Sequence, residues 1–161
     1  MSYTAAILTC SDAGASGDRK DTSADAIHGH LSSAGYAVNK YLIVPDDKNI
    51  ITNTLVTWVD QGDIDLIITT GGTGFSDRDI TPEATVSIIE RHAAGIAELL
   101  RSNGLKNTPM AALSRGVAGT RNKTLIINLP GSPKGVNEGM EILLPILPHA
   151  LGQLTGKNRG H

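Results

Sequence analysis

Apolar residues fall into four short runs that are rich in β-branched side chains, at residues 3–10, 37–44, 64–70 and 124–129. Continuous apolar runs of this length are typical of strands that are buried on both faces of a parallel sheet. The stretches between them instead repeat apolar residues at helical spacing. The pattern therefore predicts strands alternating with helices.

Two of the helical stretches carry clear stop signals. Residues 22–34 end at Gly35, and residues 49–61 end at Gly62. Glycine readily takes the left-handed conformation that closes many helices. Both stretches are therefore predicted to be helices that end at these glycines.

Start signals mark the later helices. Thr81-Pro82 is typical of an N-cap followed by proline in the first turn, and it predicts a helix that continues through residues 84–92. The next helix is expected over residues 94–103. Ser132-Pro133 repeats the cap-then-proline signal and opens a C-terminal helical region, with a break expected near Pro145 and Pro148.

The order of these elements predicts an α/β fold: a three-layer α/β/α sandwich with a mostly parallel sheet. Residues 111–129 contain the polar turn cluster GTRNK between two strand-like pieces, which indicates a local antiparallel hairpin. The 161 residues suit one domain. We expect this domain to span residues 1–155, and the polar tail 156–161 to be frayed.

Composition narrows the possible functions. Hydrophobic residues make up 40% of the chain but aromatic residues only 3%, so aliphatic side chains must fill the core. The net charge of −2 gives no reason to expect nucleic-acid binding. A single cysteine, Cys10, excludes an internal disulfide framework and a Cys-rich zinc site. No signal peptide and no apolar stretch of about 20 residues is visible, so a cytoplasmic protein without a membrane span is expected.

Polar or glycine-rich loops follow all four predicted strands: TCSDAGASGD, VPDDKN, TGGTGFSDRD and LPGSPKG. Ligands of parallel α/β sheets bind beyond the carboxyl ends of the strands. If the sheet is parallel, these four loops open on the same edge. The sequence therefore predicts one ligand site at that edge.

The third loop lies within TTGGTGFSDRDITPEAT, residues 69–85. It contains neither a Walker motif nor a dinucleotide-binding Gly-x-Gly-x-x-Gly motif. Its glycines can still bring backbone N–H groups close to an anion. A tight strand-to-helix turn without a ligand would also explain them, so the glycines alone leave both interpretations open.

Carboxylates in two of these loops point to phosphate chemistry. Asp46 follows the second strand and Asp79 lies in the glycine loop. Mg²⁺ is usually held by one or two carboxylates together with substrate phosphates, and nucleotidyl transfer depends on such positioning and positive charge. Asp46, Asp47 and Asp79 could equally serve the first turns of the following helices. The residues alone leave metal binding and helix capping open.

Other kinds of chemistry find less support. Cys10 has no basic neighbour in sequence, and we expect it to be a buried residue at a strand end. No serine lies in a Gly-x-Ser-x-Gly elbow, so acyl transfer is not expected.

The stretch TTGGTGFSDRDITPEAT closely resembles the signature of the MogA/MoaB molybdenum-cofactor family, which includes gephyrin-like G domains. The segments ILTCSDAGASGDRKDTSA, VPDD and LSRGVAGTRNKTLIINLPGSPKG match in the same order, so the resemblance covers almost the whole chain. It implies molybdopterin adenylyltransferase activity, in which the terminal phosphate of molybdopterin attacks the α-phosphate of ATP with Mg²⁺ present. It also implies a homotrimer, with hexamers in some MoaB-type members, and a separate protein or domain that inserts molybdate.

The resemblance also implies roles for individual positions. Asp46 and Asp79 match the essential acidic residues, which would be catalytic and would hold Mg²⁺ and the nucleotide phosphates. The implied substrate-binding positions are Ser11 and Asp12 in the first loop, Gly71, Gly72, Thr73 and Gly74 in the loop shared by pterin and nucleotide, and Ser114, Pro130, Gly131 and Ser132 on the pterin side. Lys134 could add charge there.

The sequence does not decide the subfamily. The chain keeps the Arg-Asp-x-Thr-Pro form of the active adenylyltransferases, whereas RKDTSADAI and GVAGTRNKTLI are similar to MoaB-type chains. Two alternatives to the transferase are a MoaB-like protein that binds pterin without adenylyl transfer and a CinA-like nucleotide pyrophosphatase.

Overall fold

The structure, a computed structural model, describes residues 2–157. Six strands form one sheet in the order β2-β1-β3-β6-β5-β4. The strands β1, β2, β3 and β6 are parallel, while β5 runs antiparallel to both β6 and β4. Their bounds are Thr4–Cys10 (β1), Ala37–Val44 (β2), Leu66–Thr70 (β3), Arg91–His92 (β4), Ala118–Arg121 (β5) and Thr124–Leu129 (β6).

Helices cover both faces of this sheet, as the alternating pattern predicted. They are α1 (Asp12–Ala15), α2 (Thr22–Ser33), α3 (Lys48–Asp60), α4 (Thr81–Ile88), α5 (Ala94–Gly104), α6 (Pro133–Leu143) and α7 (Leu147–Thr155), with a 3₁₀ helix over Pro109–Leu113. The break between α6 and α7 contains Pro145, where a break was expected.

Two apolar clusters separate the three layers. Alternate strand residues such as Ile7, Ile68 and Ile127 face α2, α6 and α7 in one cluster. Their neighbours Leu8 and Ile67 pack with α3 and α4 in the other. Because successive strand side chains point to opposite faces, every central strand must be apolar on both. The predicted three-layer sandwich with its local antiparallel hairpin is confirmed.

Some of the predicted helix ends agree with the structure and others do not. Gly35 (φ 89°) and Gly62 (φ 76°) follow α2 and α3 in the left-handed conformation, as expected. Ser132 caps α6 by accepting a hydrogen bond from the N–H of Gly135 at 3.1 Å. Thr81 is not the N-cap of α4: Ile80 takes that position, and Thr81 is the buried first residue of the helix.

The helix expected over residues 84–92 is too long. It ends at Ile88, and Arg91–His92 form the short strand β4. The backbone N–H of Glu90 donates to the carbonyl of Thr120 at 2.8 Å, so pairing with β5 replaces the helical hydrogen bonds there.

The C-terminal end is only partly described. Lys157 pairs with Asp65 at 2.9 Å, which ties the start of the expected polar tail to the domain. Residues 158–161, the rest of that tail, lie outside the described residues. Between residues 2 and 157, no helix combines the length and apolar character needed to cross a membrane.

Candidate functional site

The loops after β1 and β2 are joined by a reciprocal pair of aspartates. The backbone N–H of Asp12 donates to Asp46 Oδ2, and the N–H of Asp46 donates to Asp12 Oδ1, both at 3.0 Å. Arg78 from the glycine loop donates to both carboxylate oxygens of Asp12 at 3.0 Å. This bidentate contact holds the pKa of Asp12 below its usual value. Three loops are thus locked together around Asp12.

Asp46 keeps one carboxylate oxygen free of this network. Its Oδ1 is buried and has no hydrogen-bond partner among the described residues. Burial raises the pKa of Asp46, and the negative charges of Asp12 and Asp79 raise it further. Burying an unpartnered carboxylate oxygen is costly unless a ligand satisfies it.

The neighbouring carboxylates resolve the capping alternative. Asp47 caps α3 by accepting from the N–H of Ile50 at 3.0 Å, so Asp46 has no capping role. Asp79 Oδ2 accepts from the N–H of Ser76 at 3.0 Å inside its own loop, and α4 has no side-chain cap. The structure therefore leaves Asp46 and Asp79 available to a ligand.

These two carboxylates fit a hard divalent cation only in part. Oxygen ligands suit such an ion, and Asp46 Oδ1 lacks a partner. Yet over residues 2–157 no group of three or more His, Cys, Asp or Glu side chains is arranged to hold a metal. A cation bound here would have to take its remaining ligands from a substrate or water, which is the usual arrangement for Mg²⁺ at phosphate sites.

Two glycines allow the loop after β3 to pack this tightly. Gly71 (φ 94°) lies against the end of β1, where a Cβ atom would come 2.4 Å from the carbonyl oxygen of Cys10. At Gly72 (φ 69°) a Cβ atom would come 2.3 Å from Thr81 Oγ1 and 3.2 Å from Asp46 Oδ1. Both positions therefore exclude any side chain.

Arg115 holds the rest of the glycine loop, and sequence reasoning missed it. Its guanidinium donates to the carbonyls of Gly74 at 2.8 Å and Asp79 at 2.7 Å, and it also pairs with Glu83. Its backbone N–H donates to the carbonyl of Thr73 at 2.9 Å. The only available signal was its position next to Ser114, which the family resemblance had singled out.

Two cavities lie on either side of residues 71–74. The first, the aspartate cavity, has a volume of about 520 Å³; of the predicted site residues it is lined by Ser11, Asp46, Gly71, Gly72, Asp79, Gly131 and Ser132. The second, the apolar cavity, has a volume of about 420 Å³; it is lined by Thr73, Gly74, Ser114, Pro130 and Ser132, with Ala97, Leu100, Met110, Leu113 and Ile142.

Most predicted positions therefore meet at one edge of the sheet, distributed over two cavities. Ser132 borders both cavities. Asp12 borders neither, since it is occupied with Asp46 and Arg78. Cys10 is buried at the end of β1, and burial raises the pKa of its thiol to about 12. It is therefore not a nucleophile at neutral pH.

The fold and this site define an α/β protein that binds its ligand at the carboxyl edge of a parallel sheet, between a glycine loop and paired aspartates. Comparison with known proteins gives the family. Residues 6–149 match the family described as "Probable molybdopterin binding domain". The chain therefore belongs to the MogA/MoaB family of molybdenum-cofactor biosynthesis proteins.

Individual relatives support this family assignment. The chain is 42% identical to a molybdopterin adenylyltransferase of Helicobacter pylori over 154 residues, covering 93% of this chain and 86% of that protein. It is 39% identical to a molybdopterin adenylyltransferase of Escherichia coli K12, covering 84% and 70% of the two chains. The crystal structure of the molybdopterin biosynthesis enzyme MoaB from Thermus thermophilus is 52% identical, covers 96% and 97%, and superposes with a TM-score of 0.91.

Proposed function

We propose that this protein is a molybdopterin adenylyltransferase, which transfers AMP from ATP to the terminal phosphate of molybdopterin and releases pyrophosphate. The observation that carries the proposal is the buried, unpartnered Oδ1 of Asp46 in the cavity that also contains Asp79. It is supported by the names of relatives about 40% identical over most of the chain.

The two cavities suit the two substrates. The apolar cavity, lined by residues such as Leu100 and Met110, offers the kind of surface on which a flat pterin ring packs. The aspartate cavity would take the nucleotide. Gly71 and Gly72 face one cavity and Thr73 and Gly74 the other, so this loop would bring the pterin phosphate next to the α-phosphate.

The reaction needs little covalent help from the protein. An oxygen of the pterin phosphate forms a bond to the α-phosphorus of ATP, and the bond from that phosphorus to the bridging oxygen breaks, which releases pyrophosphate. Asp46 and Asp79 would hold Mg²⁺, which offsets the negative charge of the phosphates. Arg115 would keep Gly74 and Asp79 in position through their backbone carbonyls.

Incubation with molybdopterin and Mg-ATP tests the proposal, with the adenylylated pterin detected by mass. Asp46→Asn and Asp79→Asn are expected to abolish product formation while pterin binding survives. The matched control is Asp77→Asn, an exposed carboxylate of the same loop, which should retain activity. Loss of pterin binding together with activity in both site variants would contradict the metal-holding role.

A second candidate is a MoaB-like protein that binds pterin without adenylyl transfer, an alternative that rests on the similarity of RKDTSADAI and GVAGTRNKTLI to MoaB-type chains. Tight pterin binding with no release of pyrophosphate would support it. Pyrophosphatase activity on a nucleotide-sugar substrate without pterin would instead point to a CinA-like nucleotide pyrophosphatase. We further propose a cytoplasmic homotrimer, with a hexamer as the MoaB-type alternative, that hands its product to a molybdate-insertion partner. Light scattering of the purified protein tests the oligomeric state.

A further inference from the structure

The segment before α2 brings two positively charged residues to the aspartate cavity. Arg19 and Lys20 line this cavity together with Asp46 and Asp79. They are the two arginine or lysine residues among its lining residues. Both lie in the segment RKDTSADAI, but neither the sequence pattern nor the family resemblance gave either residue a role.

Both side chains are free for a ligand, unlike those of Arg78 and Arg115. Arg78 is occupied by Asp12, and Arg115 by Glu83 and two backbone carbonyls. Arg19 and Lys20 are exposed and form no ion pair or side-chain hydrogen bond with any residue in the 2–157 range.

The backbone that carries these cations is fixed by the next residue, Asp21. Asp21 Oδ2 accepts from Thr9 Oγ1 at 2.6 Å and from the Tyr41 hydroxyl, and Oδ1 accepts from the N–H of Ala24 at 3.1 Å. Ser23 Oγ donates to the carbonyl of Gly131 at 2.6 Å. The segment is therefore fastened to the sheet and to the loop after β6, which holds Arg19 and Lys20 at the rim of the cavity.

The charge of the cavity explains why cations are needed there. Asp46 and Asp79 would share the charge of one divalent cation, and Asp21 is committed to its own hydrogen bonds. A nucleotide triphosphate brings additional negative charge, most of it on the β- and γ-phosphates. Breakage of the bond to the α-phosphorus moves further charge onto these groups, and side-chain cations are one way to stabilise it.

We propose that Arg19 and Lys20 bind the β- and γ-phosphates of the nucleotide and hold the pyrophosphate as it leaves. Arginine suits two phosphate oxygens at once, whereas lysine supplies a compact point charge. The first turns of α2 and α6 line the same cavity, and their positive dipole ends add to this attraction. The identity of the anion as a nucleotide rests on the proposed function, whereas the anion site itself does not.

Binding of inorganic pyrophosphate with Mg²⁺, measured by calorimetry on the full chain, tests the site without turnover. Loss of a charge-assisted hydrogen bond typically weakens binding by roughly tenfold to a hundredfold. Arg19→Ala and Lys20→Ala should each weaken pyrophosphate binding in this range, and the double variant more. Lys20→Arg, which keeps the charge, should retain most of the affinity. Pterin binding should not change in any of them.

Lys123→Ala is the charge-matched control, because Lys123 lies in the exposed turn between β5 and β6, away from the carboxyl ends of the parallel strands. Thermal unfolding checks that each variant is folded. Wild-type pyrophosphate affinity in the double variant, or equal weakening by Lys123→Ala, would overturn the proposal. A loss of pterin binding in the double variant would overturn it too, because it would indicate a structural role.

The outcome also separates this inference from the proposed function. If the wild-type protein forms adenylylated pterin but the variants bind pyrophosphate normally, the transferase stands and the role of Arg19 and Lys20 falls. If the wild-type protein forms no product yet binds pyrophosphate through these two residues, the anion site stands and the transferase falls.

Discussion

Replacement of Asp46 by asparagine should stabilise the ligand-free protein while it removes the metal dependence. The change keeps the shape of the side chain and an oxygen that can accept from the N–H of Asp12, as Oδ2 does now. It removes a negative charge that is half-buried close to Asp12 and Asp79. It also allows an amide N–H to replace the unpartnered Oδ1, near the Thr81 hydroxyl.

The size of the effect follows from the unpartnered oxygen. A buried polar group without a partner costs about 1–3 kcal/mol, and the half-exposed position of Asp46 favours the lower end. A gain of about 1 kcal/mol raises the melting temperature by about 2–4 °C in a chain of this length. Because the pKa of Asp46 is raised above its usual value of 3.8, ionisation destabilises the fold increasingly from pH 3.8 up to the raised pKa, and fully above it. The advantage of Asp46→Asn should therefore shrink as the pH falls through the pKa of Asp46.

Thermal unfolding with and without Mg²⁺ measures both parts of this prediction. Without the metal, Asp46→Asn should melt above the wild-type protein. Added Mg²⁺ and nucleotide should raise the melting temperature of the wild-type protein more than that of the variant, because a ligand stabilises only the state that binds it. Asp47→Asn is the control: it removes the adjacent charge, and asparagine caps α3 as well as aspartate does, so little change is expected.

Two results would refute this reasoning. A lower melting temperature for Asp46→Asn than for the wild-type protein would mean that the ionised carboxylate stabilises the ligand-free fold. Equal stabilisation of both proteins by Mg²⁺ and nucleotide would mean that Asp46 does not hold the metal.

Other variants test the loops and the buried thiol. Gly72→Ala should lower the free energy of unfolding, measured in denaturant, by more than about 1 kcal/mol, because φ is 69° and the added Cβ would meet Thr81 Oγ1. The control Gly29→Ala, in the open middle of α2, should raise it by about 0.5–1 kcal/mol. A similar change for both variants would contradict the strain argument. Arg78→Met should lower the stability of the fold at neutral pH. This difference from the wild-type protein should vanish as the pH falls below 3.8, the usual pKa of an aspartate, and through the lowered pKa of Asp12, because the protonated carboxyl no longer attracts Arg78. A difference that does not depend on pH would indicate a packing effect instead. Cys10 should resist a thiol reagent at pH 8 in the folded protein and react once the protein is unfolded, because burial raises the pKa of its thiol to about 12. Rapid labelling of the folded protein would refute this prediction.

The central strands were predictable because burial on both faces requires a continuous run of apolar residues, which is visible in the sequence. A strand covered on both faces must be continuously apolar, and β1, β3 and β6 begin and end within two residues of the predicted runs. The second run also has the predicted bounds, but β2 is an edge strand, and the prediction that it is buried on both faces is wrong because most of its residues are half-buried or exposed. Strand β4 was not predictable, because Arg91 and His92 are exposed and form a strand only by pairing with Thr120 and Gly119. Thr81 carries the local preference of a cap, but contact with Gly72 buries it inside the first turn instead.

The location of the site could be predicted from the sequence, but the individual contacts within it could not. The four loops meet because their strands are parallel, which the sequence pattern indicated. The different roles of Asp46 and Asp47 depend on how β2 lies beside the loop that carries Asp12, so two adjacent aspartates could not be told apart beforehand. Arg115 holds residues 36 to 41 positions earlier, and no local pattern marks such a contact.

The antiparallel hairpin has a consequence for how the protein folds. Because β5 is antiparallel, Arg115, which lies three residues before it, reaches the same edge as the residues that follow the parallel strands. The hairpin itself docks through β6, whose Asn128 donates to Thr69, 59 residues earlier. Pairings between such distant segments form slowly compared with local ones. Arg115 can therefore hold the glycine loop only once the hairpin lies beside β3, so the competent site forms no earlier than this long-range pairing.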